Sequence, residues 1–209
     1  MDPIRQLGWR YAVKKFDPDR KLTAEQLETI LESVRLSASA FGLQPYRLVV
    51  VDEVQVRESL VEHSMNQDKV LHSSHLLVFA IRLFVDDTDI ENHLRLISET
   101  RNTPRGNLAG LEQILHQFIG AMSQESYRNW AARQAYLALG NLLTVCALLQ
   151  VDACPMEGFV PAAYDRILQL DQLGLTATVI ATLGFRAQDD PYARQQKVRM
   201  PLTEFIIRV

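Results

Sequence analysis

The sequence has few cysteines, no secretory signal and no large excess of charge of either sign. Its two cysteines, Cys146 and Cys154, lie in apolar surroundings outside any CxxC pair, which favours buried thiols in a reducing compartment. The first ten residues contain no apolar segment of the kind that signal peptides carry. A net charge of −3 is not typical of proteins that bind nucleic acid through its phosphates. These absences predict a cytoplasmic protein with neither nucleic acid nor a membrane as its partner.

Motifs for several common chemistries are also absent. The chain has no GxGxxG, no GxxxxGK[ST] and no GxSxG, so nothing indicates a dinucleotide fold, a P-loop or a serine hydrolase. His72 and His75 are three residues apart, but no carboxylate or thiol pattern accompanies them. We therefore predict no metal site.

The longest uncharged stretch covers residues 134–151, about 27 Å of helix at 1.5 Å per residue. Gln134, Gly140 and Asn141 interrupt it, so we interpret it as a buried helix rather than a membrane span. One face carries small residues at spacings of four and three: Ala131, Ala135 and Ala138. The pattern alone leaves open whether this face packs inside the subunit or against a second one.

Hydrophobic periodicity predicts a mixture of many helices and few strands. A helix is expected from Asp2 and Pro3, and a second from the capping box of Thr23 and Gln26. Strands are expected at 46–51, 76–83 and 175–185, with a further β-prone end at 204–209. Residues 86–124 read as a helical excursion resembling a lid. The expected fold class is α+β, a single domain over 1–209 with helices covering both faces of one sheet.

Six short segments together match a known pattern. They are residues 10–17 (RYAVKKFD), 37–46 (SASAFGLQPY), 66–69 (NQDK), 133–141 (RQAYLALGN), 155–159 (PMEGF) and 197–201 (KVRMP). In this order and spacing they resemble the FMN-dependent nitroreductase family, closest to its oxygen-insensitive NAD(P)H nitroreductases and dihydropteridine-reductase-like enzymes. The resemblance implies a nitroreductase-like fold: a mostly antiparallel central sheet in an intertwined homodimer with shared active sites.

The resemblance also implies a site for FMN, with NAD(P)H as the reductant. Its cofactor-binding residues would be Arg10, Tyr11, Ala12, Lys14, Ala38, Ser39, Ala40, Gly42, Asn66, Lys69, Gln134, Pro155, Met156, Glu157, Gly158, Lys197 and Arg199. Phe41 and Phe118 would contact the substrate. Relatives often carry serine where this chain has Ala12, so one hydroxyl contact is missing.

Each part of the flavin has implied partners. Arg10, Lys197 and Arg199 would surround the phosphate, which carries roughly −1.5 to −2 charges. Lys14, Lys69 and Asn66 would meet the pyrimidine edge, and Gln134 the ribityl or pyrimidine region. Pro155 and Met156 would lie against the ring, with the backbone N–H groups of Glu157 and Gly158 at N5. The 38–42 loop would come from the partner subunit, and the alanine face of the central helix would then be a subunit interface.

The implied function is an FMN-dependent NAD(P)H oxidoreductase. Hydride would pass through flavin N5, in a ping-pong cycle, to a nitroaromatic, a quinone or a related acceptor, with no catalytic side chain. One alternative on the same fold is flavin fragmentation or reductive dehalogenation, for which Glu99, Arg101 and Arg105 would grip a charged substrate. Another alternative is a flavin-binding dimer without catalysis.

Overall fold

The structure is a computed structural model that describes residues 2–209. Nine α-helices and four strands are found in that range. The helices are α1 (Pro3–Trp9), α2 (Ala24–Arg35), α3 (Val54–Val61), α4 (Lys69–His72), α5 (Asp87–Arg101), α6 (Ala109–Gly120), α7 (Gln124–Leu148), α8 (Pro161–Ile167) and α9 (Leu202–Phe205). The strands are β1 (Tyr46–Val51), β2 (His75–Arg82), β3 (Asp152–Met156) and β4 (Leu175–Gly184). The predicted strands at 46–51, 76–83 and 175–185 are thus confirmed, with shifts of one residue.

The sheet has the order β1-β2-β4-β3 and every neighbouring pair is antiparallel. β1 forms one edge of the sheet, where Tyr46 pairs with Ile81 of β2. β3 lies next to β4 on the other side, where Cys154 pairs with Thr182. The expected α+β class with a mostly antiparallel sheet is confirmed.

The sheet separates two hydrophobic cores. In β2, Leu77 and Phe79 point into a core formed with α2, α5, α6 and α7. Leu76 and Val78 point the other way, into a core that includes residues of α3, α4 and α8. Successive side chains of a strand face opposite sides, so a continuous apolar run requires cover on both. The prediction of helices on both faces is confirmed.

Local capping explains where two helices begin. Asp2 accepts a hydrogen bond from the backbone N–H of Ile4 and precedes the proline that starts α1. The capping box before α2 is complete, because Thr23 and Gln26 each bond the other's backbone N–H. Such caps satisfy donors that helix geometry leaves without partners.

Helix α7 is the longest element, and its alanine face lies inside the chain. Ala131, Ala135 and Ala138 have 0% exposure and belong to the core shared with α2. The expectation that this face forms a subunit interface is therefore wrong. Leu137 is 56% exposed and Gly140 also faces outward, so α7 presents a different apolar face at the surface. Within residues 2–209 no helix has the length and apolar character needed to cross a membrane.

The two ends of the chain run beside the β3–β4 edge. Ala12 bridges Ala153 of β3, and Phe16 bridges Arg186 directly after β4. The β-prone end predicted at 204–209 does not form a strand: α9 ends at Phe205, and the last four residues belong to no element. Strand propensity needs a neighbouring backbone to pair with, and this segment pairs with none within the described chain.

Candidate functional site

Cations from both ends of the chain line one cavity of about 670 Å³. Arg10 follows the last turn of α1, while Lys197 and Arg199 come from the C-terminal arm (residues 186–209). Burial and then the charge of Arg199 lower the pKa of Arg10, and burial with the charges of both arginines lowers the pKa of Lys197. The mutual repulsion of these like charges is what an anion in the cavity would relieve.

A buried carboxylate fastens the C-terminal arm to the N-terminal segment. Asp190 accepts hydrogen bonds from the Tyr11 hydroxyl (3.0 Å) and from the backbone N–H groups of Lys14 (3.0 Å) and Lys15 (3.2 Å). It also accepts from the backbone N–H of Tyr192 at 2.9 Å. Burial acts to raise the pKa of Asp190, but these donors outweigh it and the net shift is downward. Asp190 therefore fixes the direction in which the arm carries Lys197 and Arg199.

A further guanidinium stiffens the wall of this cavity. Arg186 bonds both carboxylate oxygens of the buried Asp152, at 2.6 to 3.0 Å. Its guanidinium carbon lies over the rings of Trp9 and Tyr11, 4.2 and 4.5 Å from their centres. Because Asp152 already balances its charge, we read Arg186 as a support for the two rings.

A second cavity, of about 420 Å³, has Lys14 and Lys69 among its lining residues. Lys69 is only 6% exposed. Within residues 2–209 the hydrogen-bond partner of its ammonium is the Cys154 Sγ at 3.3 Å, a weak acceptor. A buried ammonium without a carboxylate partner is costly, so this group has capacity for an anion in the cavity.

A third cavity, of about 510 Å³, lies between α7 and the end of β3. Apolar Leu139, Leu143 and Met156 line it. At its rim the Tyr136 hydroxyl donates to Glu157, and burial together with this hydrogen bond raises the pKa of Tyr136 to about 12.

Shared lining residues connect the three cavities. Lys14 lines both the 670 Å³ and the 420 Å³ cavities, and Pro155 lines both the 670 Å³ and the 510 Å³ cavities. The 670 Å³ cavity, lined by Arg10, Lys197 and Arg199, thus joins the lysine-lined cavity to the apolar one in a single connected surface. We call this surface the cation cradle.

The predicted Asn66 and Gly158 are not among the residues that line these three cavities. Asn66 is exposed and has a left-handed backbone (φ 53°), as does Met65 before it (φ 56°). Gly158 accepts a hydrogen bond on its carbonyl from the Gln67 side chain at 3.2 Å. A Cβ at Gly158 would come within 3.1 Å of the Met65 sulfur. The close packing inside the chain is therefore one reason for glycine at this position.

The remaining predicted residues gather elsewhere. The Gln134 side chain accepts a hydrogen bond from the backbone N–H of Ala40 at 2.9 Å, which ties α7 to the loop at 38–42. In that loop Phe41 contacts Phe118 of α6 edge-on, with ring centres 5.1 Å apart, and Phe118 contacts Trp130 at 5.6 Å. Ser39 accepts from the Gln44 backbone, and Ala38 is exposed beside it.

This second group lies across α7 from the cradle. Gln134 faces the 38–42 loop, whereas Tyr136 reaches Glu157 at the end of β3. Helical residues two positions apart project roughly 200° apart. The sequence analysis assigned Gln134 and the cradle residues to the same flavin. Within one chain, however, Gln134 contacts the 38–42 loop and not the cradle.

Comparison with known proteins decides the family. The model of the nitroreductase family matches residues 7–185. The chain belongs to the nitroreductase family. A Staphylococcus aureus (strain N315) protein named "Putative NAD(P)H nitroreductase" is 34% identical to this chain over 211 residues. The matched region covers 95% of this chain and 92% of the relative. A protein of the same name from Staphylococcus haemolyticus is 30% identical, with coverages of 97% and 95%.

Solved structures of nitroreductases share the fold. The Bacillus subtilis nitroreductase ydfN superimposes with a TM-score of 0.86 at 24% identity, covering 99% of this chain and 98% of that one. A nitroreductase from Exiguobacterium sibiricum, solved in complex with FMN, gives a TM-score of 0.84 at 16% identity and covers 100% and 98%. The nitroreductase-like fold expected from the sequence is confirmed.

Four residues near the cradle were not predicted: Trp9, Asp152, Arg186 and Asp190. Trp9 precedes the first segment that the resemblance used, and Arg186 lies between the last two. Asp152 and Asp190 act mainly through contacts distant in sequence. The adjacent pair Asp189–Asp190 before a proline was a weak signal, since it reads equally well as a solvated turn. Within residues 2–209 no group of histidine, cysteine and acidic residues could hold a metal ion.

Proposed function

We propose that this chain is an FMN-dependent NAD(P)H oxidoreductase that reduces nitroaromatic, quinone or related acceptors in a ping-pong cycle. The observation that carries the proposal is the cation cradle, in which Lys14 and Pro155 connect the cavity that holds Arg10, Lys197 and Arg199 to a lysine-lined cavity and to an apolar one. A flavin mononucleotide has three parts of matching chemistry: a phosphate, an electron-rich pyrimidine edge and a flat apolar ring system.

The phosphate end fits the first cavity. Arg10, Lys197 and Arg199 supply three positive charges, against roughly −1.5 to −2 on a phosphate monoester. Arginine can bond two phosphate oxygens at once. Asp190 holds the arm that brings two of these cations into place, so it supports phosphate binding without contacting it.

The lysine-lined cavity of the cradle fits the pyrimidine edge. Lys14 and Lys69 would lie where negative charge develops on reduction, and Asn66 would hydrogen-bond the edge. The buried Lys69 ammonium, with a thiol as its hydrogen-bond partner, would gain the acceptor that it lacks. Stabilisation of that charge favours the two-electron reduced state.

FMN, when bound, would supply the hydride transfer between NAD(P)H and the acceptor, at its N5 atom. The chain binds, orients and shields. Pro155 and Met156 would support one ring face, and the backbone N–H groups of Glu157 and Gly158 would point at N5. Protons can come from water, so no side chain is assigned as an acid or a base.

We propose further that the site is completed by a second copy in a homodimer. The loop at 38–42 and Gln134 lie on the far side of α7 from the cradle of their own chain. A single flavin could meet both groups only if the loop came from a partner. Exposed Leu137, the open apolar cavity beside Leu143 and the exposed apolar C-terminal residues support such contact. The edge strand β1 offers unpaired backbone to a partner's final residues.

The helices α5 and α6 would form the lid over this shared site. They occupy most of the 86–124 region, and Phe118 of α6 touches the 38–42 loop. We propose that Phe41 and Phe118 present aromatic surface to the acceptor, and that the chain works as one domain with this lid attached.

Purification under mild conditions tests the proposal. The protein should be yellow, or become yellow with added FMN, and NAD(P)H should bleach the flavin absorbance under anaerobic conditions. Steady-state reduction of menadione and nitrofurazone should give parallel double-reciprocal plots, the signature of a ping-pong cycle. A colourless protein that cannot be loaded with FMN would overturn the assignment, and a bound flavin that NAD(P)H does not reduce would favour a different reaction.

A further inference from the structure

The loop at 38–42 holds an aromatic residue in an unfavourable backbone conformation. Phe41 has φ 57° and ψ 7°, and Gly42 follows with φ 71°. Bulky residues rarely adopt this left-handed region, because Cβ crowds the backbone. Such strain persists only where surrounding contacts impose it, and it concentrates at functional sites. Phe41 is nevertheless 41% exposed as a residue, so burial does not account for the strain.

A lid residue supplies the contact that holds this conformation. The His93 Nε2, on α5, lies 3.0 Å from the carbonyl oxygen of Phe41. A carbonyl only accepts, so Nε2 carries the proton in this contact. A Cβ on Gly42 would lie 3.6 Å from the His93 ring, which shows that the imidazole also packs against the loop.

The other contacts of the loop do not replace this one. Gln134 binds the loop one residue earlier, through the backbone N–H of Ala40. Phe118 touches only the Phe41 ring, edge-on at 5.1 Å. His93 alone bonds the backbone of the strained residue from outside the loop, within the described chain.

We propose that His93 is a positioning residue for acceptor specificity: its hydrogen bond to the Phe41 carbonyl fixes the exposed phenyl ring as an aromatic wall for the electron acceptor. The inference rests on the proposed function and goes beyond it, since it names the residue through which the lid controls the acceptor. The acceptors affected are planar aromatic ones, which gain from contact with a fixed ring. Small inorganic acceptors do not need that wall.

Two variants of His93 separate the hydrogen bond from the bulk of the side chain. His93→Leu removes the donor and keeps a similar volume, whereas His93→Gln keeps an amide donor within reach. We expect His93→Leu to raise KM for nitrofurazone roughly fivefold with little change in kcat, and to leave KM for ferricyanide unchanged. His93→Gln should stay close to wild type. Asn92→Ala, at the exposed neighbouring position, is the matched control.

A readout independent of turnover comes from hydrogen exchange in the FMN-loaded protein. The amides of Gly42 and Leu43 donate to Ser39 and Ala40 within the loop. In His93→Leu they should exchange about tenfold faster, since one clamp of the loop is lost. Phe41→Leu, which removes the ring, should raise KM for nitrofurazone to a similar extent, and the double variant should add little to either single change.

Unchanged KM and unchanged exchange in His93→Leu would overturn the proposal, as would a Gln variant that behaves like the Leu variant. Additive effects of the His93 and Phe41 changes would also overturn it, because the two residues would then act separately. Failure of the proposed function looks different: the wild-type protein itself would bind no FMN or fail to be reduced.

Discussion

The cation cradle and the 38–42 loop with its lid are built by opposite means. The cradle holds Arg10 and Arg199 close together although the chain separates them by almost its whole length, and a buried carboxylate, Asp190, secures its geometry. The loop on the other side of α7 carries little charge, a strained backbone and edge-on aromatic contacts. The cradle is therefore suited to holding a fixed, charged ligand, and the loop to contacting variable, apolar ones.

This comparison predicts that the cradle and the loop of a single chain are not sufficient to bind FMN. A charge placed on the exposed face of α7 tests this prediction. Leu137→Arg should abolish dimerisation and with it nearly all FMN binding, because burying an unpaired guanidinium costs several kcal/mol. Sedimentation and flavin absorbance measure the two losses together. Leu96→Arg, on α5 at a similar exposure of 58%, should leave both intact. A Leu137→Arg dimer that retains FMN would show that the halves do not meet across this face.

Removal of a cation that is proposed to bind the phosphate tests the role of the cradle. Arg199→Ala should weaken FMN binding about 10- to 100-fold, from the loss of a charge-assisted hydrogen bond. Riboflavin, which lacks the phosphate, should bind the variant and wild type alike in a flavin fluorescence titration. Arg194→Ala, nearby on the same exposed arm, is the control. Equal losses for FMN and riboflavin would contradict the phosphate assignment.

The carboxylate that fastens the arm should give the cradle an acid-sensitive stability. The pKa of Asp190 is lowered in the folded protein, so its contribution is present above the unfolded value of 3.8 and is lost as pH falls through the folded pKa. Asp190→Asn should lower the free energy of unfolding by about 1–3 kcal/mol at neutral pH. Its stability should also depend less on pH in the acid range.

Chemical denaturation between pH 3 and pH 7 measures both effects of Asp190→Asn. Asp189→Asn is the matched control, since Asp189 pairs only with the exposed Lys15 and such pairs contribute little. Equal behaviour of the two variants would remove the special role of Asp190.

The smallest expected effect concerns the strain in the loop. Gly42→Ala should lower the free energy of unfolding by about 1 kcal/mol, because its φ of 71° disfavours a Cβ. Gly110→Ala, in α6 with open space around the position, should instead stabilise by roughly 0.5–1 kcal/mol. Thermal unfolding followed by circular dichroism gives both signs. Stabilisation by Gly42→Ala would show that the loop is not strained in solution.

Patterns local in sequence predicted the fold well. Apolar and β-branched runs located three strands within one residue, and the capping box before α2 formed as expected. The predicted C-terminal strand does not form within the single chain, because strand formation needs a partner backbone and residues 206–209 pair with none there. The alanine face of α7 was assigned to a subunit interface, but small residues allow close packing of any helix, and here α2 is the neighbour.

The residues of the candidate site could be predicted only where they belong to short sequence motifs. Arg10, Lys14, Lys197 and Arg199 stand in such motifs, and the structure brings them to the cradle's connected cavities. Asp190 and Arg186 work through contacts with residues more than 30 positions away, which no local pattern records. The separation of Gln134 from the cradle followed only from the geometry of α7.

Asp190, which binds the N-terminal segment, also lies at the boundary between two parts of the polypeptide with different roles. Most side chains after it are exposed to water, so they contribute little to the core, although Lys197 and Arg199, two of the cations proposed to bind the phosphate, lie among them. The residues that form the core and two of the residues proposed to bind the cofactor thus lie in different parts of the sequence. A chain that ends shortly beyond Tyr192 should keep its fold but lose these two cations. A different C-terminal arm joined at that point could allow the same body to bind another phosphorylated ligand.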